Sequence, residues 1–252
     1  MTDNLWGELW KRRQLILMFA LTDIKLRYKN SVLGFFWSFL EPLLMLAVLY
    51  FVFTNVIKSD IENYPIYLLL GLIIWYMFLR ATTMGQTSLL ERAQVIQKVY
   101  FRREIVVISS CLTAFIMMGF ELIAFGIFVV ALQFQLTFTS LFLPLLLIDL
   151  FIICVGLSLL LSSLTVHFRD LRFIWQILLQ AGFFLTPIVY KLDMFSPDIQ
   201  NFLGLNPLVK ILDTAHSIIL YDSLPSPDNV IYLFVFTTVI FIIGYLVFKS
   251  RE

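Results

Sequence analysis

The sequence predicts an all-α integral membrane protein with six transmembrane helices, and two observations establish that class. Hydrophobic residues make up 60% of the 252 residues, 26 residues are Phe, and only 14% are charged. A soluble domain of this length needs far more polar surface to cover itself. The apolar residues also fall into separate runs of roughly 20, the length with which a helix crosses a bilayer. We therefore expect residues 1–252 to form a single membrane domain.

The first predicted helix covers about residues 5–24 and lies on the membrane surface. Apolar residues recur there at helical spacing, and three cations interrupt them, Lys11, Arg12 and Arg13. Side chains of this length extend to lipid headgroups while their stems stay on the apolar surface. The alternative is a helix that packs against its own protein.

A collar of basic residues marks the point where the chain enters the membrane. Lys25, Arg27 and Lys29 alternate with apolar residues and lead directly into an apolar run that contains Trp37. Cations beside the end of a transmembrane helix are typical of its cytosolic side. The collar therefore provides an orientation for everything that follows.

Six apolar runs come after the collar and are the predicted spans. They cover residues 32–57, 64–88, 105–132, 141–166, 173–189 and 230–248. The segment between the last two spans is too polar and too rich in proline to cross, but it keeps apolar patches, so we expect short re-entrant helices at the outer face. The expected parts are 1–30 (interfacial helix and collar), 31–190 (five spans), 191–229 (re-entrant helices) and 230–252 (last span and stub).

The distribution of cations predicts that both termini are cytosolic. The chain has 18 Lys and Arg residues. If the N-terminus is cytosolic, all of them lie on the inner side except Lys58, Lys191 and Lys210. The outer segments are instead rich in Asp and Glu. Such a bias is the positive-inside pattern of multi-pass membrane proteins.

Four charged residues fall inside the predicted spans: Glu41, Arg80, Glu121 and Asp149. Each costs roughly 2.5–3.5 kcal/mol at mid-helix on insertion scales, so each needs a partner or water. Glu41 and Arg80 lie at similar depth, which makes an ion pair between them possible. Glu121 and Asp149 lie in the outer halves of adjacent spans and fit either a proton relay or contacts with water and neighbouring helices. The second interpretation is favoured because no discontinuous spans in repeated halves accompany them.

Two inner segments are candidates for contact with a cytosolic partner. Residues 89–100 predict a short amphipathic helix with one apolar and one charged face. It either rests on the membrane or docks into the partner. In the turn at 167–171, Arg169 and Asp170 either pair with each other, cap the next helix or make a second partner contact.

Motifs of enzymes are missing from the sequence. None of the ten glycines belongs to a GxxxxGK(S/T) phosphate-binding loop, and neither HExxH nor GxSxG is found. The two cysteines fall inside apolar runs, so we expect no disulfide framework and no metal site. A pore or carrier fits these observations better than a hydrolase.

Five short motifs follow one another along the chain. They are KLRYK (25–29) followed by Ser31, Leu33-Gly34, Trp37 and Pro42; VIQKV (95–99) with Phe101; FRDL (168–171); TPIVY (186–190); and NPL (206–208). In this order they resemble the permease subunit of ABC-2-type exporters for cell-surface polysaccharides, the family that handles O-antigen, capsule and teichoic acid. The sequence departs from the family where Arg102 and Val107 replace usual prolines.

The resemblance implies a homodimer in the cytoplasmic membrane of a bacterium or archaeon, bound to two copies of a cytosolic ATPase. That partner would bind ATP and Mg, and this chain would have no cofactor, metal or catalytic residue. Residues implied to contact the ATPase are Glu91, Arg92, Ile96, Lys98, Tyr100, Arg169 and Asp170. Residues implied along the path of a polyprenyl-pyrophosphate-linked polysaccharide are Arg27, Lys29, Phe36, Trp37, Phe183, Phe184 and Tyr190.

Two other functions stay open on the sequence. One is a proton-coupled secondary transporter that uses Glu121 and Asp149, and the other is a membrane enzyme that acts on lipid-linked sugars. Arg27 and Lys29 likewise have two possible roles, attraction of a pyrophosphate and plain positive-inside anchoring.

Overall fold

The computed structural model describes residues 7, 10–55, 61–98 and 101–251, apart from the side chains of residues 35 and 55. Across these residues the backbone is helical between turns and contains no strand. The α-helices are α1 (Arg13–Arg27), α2 (Trp37–Asn55), α3 (Tyr64–Glu91), α4 (Ala93–Lys98), α5 (Glu104–Ala131), α6 (Leu143–His167), α7 (Leu171–Leu185), α8 (Pro197–Leu203), α9 (Pro207–Leu220) and α10 (Pro227–Ser250). Short 3-10 turns lie at Gly34–Phe36, Phe138–Phe142 and Leu192–Met194.

Five of the described helices, α2, α3, α5, α6 and α10, are long and apolar enough to cross a membrane. They coincide with five of the six predicted spans, which confirms an all-helical multi-pass membrane protein. The predicted fifth span corresponds to α7, which has 15 residues and is apolar but shorter than the roughly 20 residues of a full crossing.

Helix α3 lies at the centre of the molecule. In α3, 83% of the most apolar stretch is buried inside the protein, whereas the corresponding share is 17% in α2 and 17% in α10. A helix that is apolar on all sides packs inside a bundle, and α3 contacts α2, α5, α6, α7 and α9. The core of the protein is therefore built around α3.

Close approach of α6 and α10 depends on two glycines. A Cβ atom added to Gly244 would lie 2.0 Å from the Gly156 carbonyl oxygen, and one added to Gly156 would lie 2.7 Å from Phe241 Cα. Small residues at a contact between transmembrane helices allow the backbones to approach, which maximises van der Waals packing where no hydrophobic effect against lipid operates.

Helix α1 packs on α5 through one face and leaves its other apolar side chains exposed. Ile16 is buried against Phe101, Ile105 and Val106, whereas Leu17 and Leu21 are exposed. One face of α1 therefore packs against the protein, which was the alternative interpretation of this segment. The other face is exposed and is available to a membrane surface. The helix ends at Arg27, three residues beyond its predicted end.

Two predicted boundaries are wrong. The first transmembrane helix starts at Trp37 instead of residue 32, because Gly34 takes a positive φ of 51° in the 3-10 turn that precedes it. The predicted amphipathic helix at 89–100 is split, because α3 continues to Glu91 and α4 covers only Ala93–Lys98. Residues 99–100 lie outside the described part of the chain.

Replacement of Gly244 by alanine tests the contact between α6 and α10. We expect a loss of roughly 1–3 kcal/mol in the free energy of unfolding, because the added methyl group meets backbone atoms that cannot move aside. Thermal unfolding of the purified protein in detergent measures the effect. Gly126→Ala is the matched control, since a Cβ there meets open space; alanine in that helix should leave stability unchanged or raise it by roughly 0.5–1 kcal/mol. Equal behaviour of the two variants would contradict the contact.

Candidate functional site

A cavity of about 620 Å³ opens where the end of α1 meets α2 and α3, and we name it the inner cavity. It combines a cation, a carboxylate, three hydroxyl groups, an indole ring and aliphatic side chains. Its lining residues are Arg27, Tyr28, Ser31, Trp37, Glu41, Leu44, Met45, Val48 and Tyr76. Polar groups placed on an otherwise apolar wall are typical of ligand pockets, whose volumes run from roughly 300 to 1,000 Å³.

The turn between α1 and α2 shapes the inner cavity. Asn30 has a φ of 64° and Gly34 a φ of 51°, two left-handed positions that Asn and Gly adopt most readily. The reversal places Trp37 at the start of α2, facing the same cavity as Arg27 at the end of α1. Burial raises the pKa of the Tyr28 phenol, so this side chain is a neutral hydrogen-bond donor.

A buried ion pair lies beside the inner cavity. Arg80 Nη2 on α3 and Glu121 Oε1 on α5 are 2.5 Å apart, and both side chains are almost wholly buried. Arg80 Nε also donates a hydrogen bond of 3.1 Å to the Tyr76 carbonyl oxygen, and its guanidinium lies 5.7 Å from the centre of the Tyr76 ring. The ion pair therefore fixes the helical turn from which Tyr76 faces the cavity.

The predicted ion pair between Glu41 and Arg80 is wrong. Arg80 binds Glu121 instead, and Glu41 is exposed on α2 and lines the inner cavity. The physical reason is that α3 packs far more extensively on α5 than on α2, which brings the Glu121 carboxylate to the guanidinium. Asp149 lines a separate cavity between α6, α9 and α10, so nothing in the geometry joins it to Glu121 as a proton relay requires.

The predicted path residues fall into two groups. Arg27 and Trp37 share the inner cavity, while Lys29 and Phe36 are exposed next to it and do not line it. The second group follows the end of α7: the Phe183 ring lies 5.8 Å from Trp75 and 5.4 Å from Phe184, and the Tyr190 hydroxyl donates to the Phe184 carbonyl oxygen at 2.7 Å.

Three lining residues with hydroxyl groups, Tyr28, Ser31 and Tyr76, were missed as site residues. Tyr28 belongs to the basic collar, Ser31 directly follows it, and Tyr76 precedes Arg80 by one helical turn. That spacing of four residues is the available signal, since it puts Tyr76 on the same face of α3 as an intramembrane charge.

Arg92, which follows the end of α3, joins that helix to α1 and α5. Its guanidinium forms an ion pair with Asp23 on α1, donates to Ser109 Oγ on α5 at 3.1 Å and lies 4.5 Å from the centre of the Phe19 ring. Of the other predicted partner contacts on this segment, Glu91 and Lys98 are exposed, and Ile96 is half-buried against α1 and α5. Tyr100 lies outside the described residues.

The turn between α6 and α7 exposes its side chains around a cavity of about 680 Å³. Arg169 and Asp170 are both exposed, and the described contacts include no ion pair between them. Asp170 occupies the residue before α7 but makes no capping hydrogen bond with its side chain, so the predicted cap is wrong. Its backbone there is already helical, whereas a capping side chain requires the extended conformation.

The N-terminal end of α3 is fixed to the segment that follows α7. The Tyr67 hydroxyl lies 3.1 Å from the Pro187 carbonyl oxygen and 2.7 Å from that of Tyr190, and its ring stacks on His216 of α9 at 3.7 Å. Burial lowers the pKa of His216 to about 3, so its neutral imidazole donates from Nε2 to the Tyr67 carbonyl oxygen at 3.0 Å. Asn206 caps α9, because its side chain accepts from the Leu208 amide.

Comparison with known proteins agrees with this architecture. The model of the ABC-2 type transporter family matches residues 14–220. The chain belongs to the ABC-2 type transporter family. The match includes the inner cavity, the Arg80–Glu121 pair and the turn at Arg169, and it ends with α9.

Three named proteins illustrate what this ABC-2 transporter chain is similar to. It is 28% identical to the O-antigen export system permease protein RfbA of Myxococcus xanthus, over 97% of this chain and 95% of the relative. It is 30% identical to the protein of that name from Klebsiella pneumoniae, over 79% and 77% of the two chains. It is 23% identical to the polysialic acid transport protein KpsM of Escherichia coli, over 92% and 91%.

No group of three or more His, Cys, Asp or Glu side chains comes together as metal ligands do within the part of the chain that the structure describes. The polar side chains of the inner cavity are instead suited to hydrogen bonds and to one anionic group, which Arg27 would attract.

The Arg80→Leu variant tests the buried ion pair. Removal of one partner leaves the Glu121 carboxylate buried and unpaired, so we expect a loss of roughly 3–5 kcal/mol in the free energy of unfolding. The double variant Arg80→Leu/Glu121→Leu removes both charges and should recover most of that loss. Thermal unfolding in detergent, with Glu41→Gln as the exposed control, measures the series. An Arg80→Leu protein as stable as the parent would contradict a structural role of the pair.

Proposed function

We propose that this chain is the membrane-spanning subunit of an ATP-driven exporter of a polyprenyl-pyrophosphate-linked polysaccharide, O-antigen-like or teichoic-acid-like, across the cytoplasmic membrane. The observation that carries the proposal is the similarity, over nearly the whole chain, to a protein named as an O-antigen export permease. The inner cavity supports it, because it offers a cation for a pyrophosphate and rings and hydroxyl groups for a sugar.

The inner cavity would receive the head of the lipid-linked substrate. Arg27 would attract the pyrophosphate through charge-assisted hydrogen bonds. The Trp37 ring would stack on the apolar face of a sugar. Glu41 would accept hydrogen bonds from sugar hydroxyl groups, and Tyr28 would donate one. These roles follow from the position of the side chains around one opening.

ATP hydrolysis would occur in a separate cytosolic subunit, because the sequence has no phosphate-binding loop. The ends of α3 and α6 lie on the same side of the membrane, since α5 returns the chain between them. Each end presents an exposed apolar residue among charges: Val95 with Glu91 and Lys98, and Phe168 with Arg169. An apolar centre with a charged rim is the usual anatomy of a protein interface.

The assembled exporter would be a homodimer with two ATPase subunits. Helices α2 and α7 expose much of their apolar surface, which a second copy would cover. Helix α7 with the segment up to Tyr190 would complete a sixth span, α8 and α9 would be re-entrant helices at the outer face, and both termini would be cytosolic. All but three of the 18 cations support that orientation.

Replacement of Arg27 tests the substrate role of the inner cavity. In cells that depend on this chain for export, we expect Arg27→Ala to lower the amount of surface polymer by roughly tenfold, as the loss of one charge-assisted hydrogen bond does. Lys29→Ala is the matched control, because Lys29 belongs to the same collar but lies outside the cavity. Equal losses of surface polymer in both variants would mean that Arg27 only anchors the chain at the membrane. Accumulation of lipid-linked polymer inside the cell would show that export is the blocked step.

Replacement of Phe168 tests the ATPase contact. We expect Phe168→Ala to weaken co-purification with the partner ATPase by roughly tenfold in affinity, as the loss of a central interface residue does. Phe202→Ala is the control, because Phe202 is about equally exposed, 72% against 63%, but lies in α8 at the opposite end of the chain's spans. Undiminished affinity of the Phe168 variant would place the ATPase elsewhere.

A further inference from the structure

A second cavity, the outer cavity, lies between α6, α9 and α10 and has a volume of about 270 Å³. Apolar side chains make up nearly all of its wall, among them Leu145, Ile152 and Leu233. Two polar residues also line it, Asp149 of α6 and Thr214 of α9. The outer cavity shares no helix with the inner cavity, so an inference about it is independent of the proposed export function.

Polar atoms at the outer cavity have no hydrogen-bond partner within the described structure. Thr214 Oγ1 and Asp149 Oδ2 are both buried and unpartnered. Thr237 of α10 lies beside the Asp149 carboxylate and is its hydrogen-bonding neighbour within the protein. Thr214 and Thr237 are each only 4% exposed. A buried polar group without a partner is costly, and most such groups in folded proteins are satisfied by protein, water or ligand.

The position of the outer cavity points to a ligand from the membrane. Asp149 comes six residues after the start of α6, which puts it about 9 Å along the helix from its outer end. Ile148 and Phe234 at the side of the cavity are exposed, so the cavity opens sideways between α6 and α10 to the surface that lipid chains would cover. A hydrocarbon chain can therefore reach the cavity without leaving the bilayer.

We propose that the outer cavity binds the hydroxyl-bearing end of an aliphatic membrane lipid. The hydroxyl group donates a hydrogen bond to the Asp149 carboxylate and accepts one from Thr214 Oγ1, the two polar residues that line the cavity. The aliphatic chain packs on Leu145, Ile152 and Leu233. The apolar wall favours a neutral alcohol, because a carboxylate, phosphate or ammonium group is more costly to desolvate.

Photolabelling tests the proposal with octan-1-ol that carries a diazirine in its chain. The protein is reconstituted in phosphatidylcholine vesicles, whose lipids have no free hydroxyl group, and labelled residues are mapped by mass spectrometry. We expect the alcohol to label the outer cavity about fivefold more strongly than octane with the same diazirine, the preference that one hydrogen bond provides. Thr214→Val and Asp149→Leu should each reduce the labelling by the alcohol to that by the alkane.

Thr238→Val is the matched control. Thr238 neighbours Thr237, but it is exposed and donates to the Phe234 carbonyl oxygen of its own helix at 2.8 Å, so its loss should not change labelling. Thr214→Val should keep the unfolding temperature of the parent, because Thr214 Oγ1 has no partner to lose among the described residues. Reduced labelling then reports binding and not misfolding.

Two results would overturn the proposal. The first is equal labelling of the outer cavity by alcohol and alkane, or labelling by the alcohol that persists in Thr214→Val and Asp149→Leu; the cavity is then only an apolar groove. The second is disulfide cross-linking between two copies of an Ile148→Cys variant at a level above that of the parent protein. The parent is a suitable reference because its two cysteines are buried. The face is then a protein interface.

Discussion

The buried charge of Arg80 is the constraint on which the rest of the structure depends. The residue lies in the most buried helix of the molecule, where an unpaired guanidinium is not tolerated. Its partner Glu121 must therefore face it from α5, which fixes the rotation of α5 about its axis relative to α3. Apolar packing alone specifies such a rotation weakly in a membrane, since lipid chains are as apolar as leucine side chains.

The helices around the Arg80–Glu121 pair are firmly packed, whereas α2 is packed more loosely. Helices α3, α5 and α6 pack on one another, and α10 is held to α6 where Gly156 meets Gly244. Helix α2 forms the wall of the inner cavity with Glu41 but is mostly exposed. The inner cavity thus has one wall fixed by the ion pair, through Tyr76, and one wall whose position depends on what covers α2 outside this chain.

Most of the fold could be predicted from the sequence because polar residues and prolines limit the spans. The predicted ranges 64–88, 105–132, 141–166 and 230–248 agree within three residues with Tyr64–Glu91, Glu104–Ala131, Leu143–His167 and Pro227–Ser250. Less of the site could be predicted. Residue numbers give the depth of a side chain along its helix, but they do not tell which helix packs against Arg80. The sequence therefore suggests Glu41 as a possible partner, whereas the partner in the structure is Glu121. Turn geometry at Asn30 and Gly34, which gathers Tyr28 and Ser31 into one cavity with Trp37, likewise depends on tertiary packing.

The four charged residues in the predicted spans differ in what surrounds their side chains, and this difference distinguishes structural residues from candidate binding residues. Arg80 and Glu121 neutralise each other's charge as an ion pair in a packed interior, which is the behaviour of a structural pair. Glu41 faces the inner cavity, and Asp149 lines the outer cavity together with Thr214, whose hydroxyl group has no hydrogen-bond partner among the described residues. A carboxylate that persists in a membrane protein without a partner in its own chain costs free energy in every folded molecule. Glu41 and Asp149 are therefore the two intramembrane acidic residues whose side chains line the cavities at which ligands are proposed to bind.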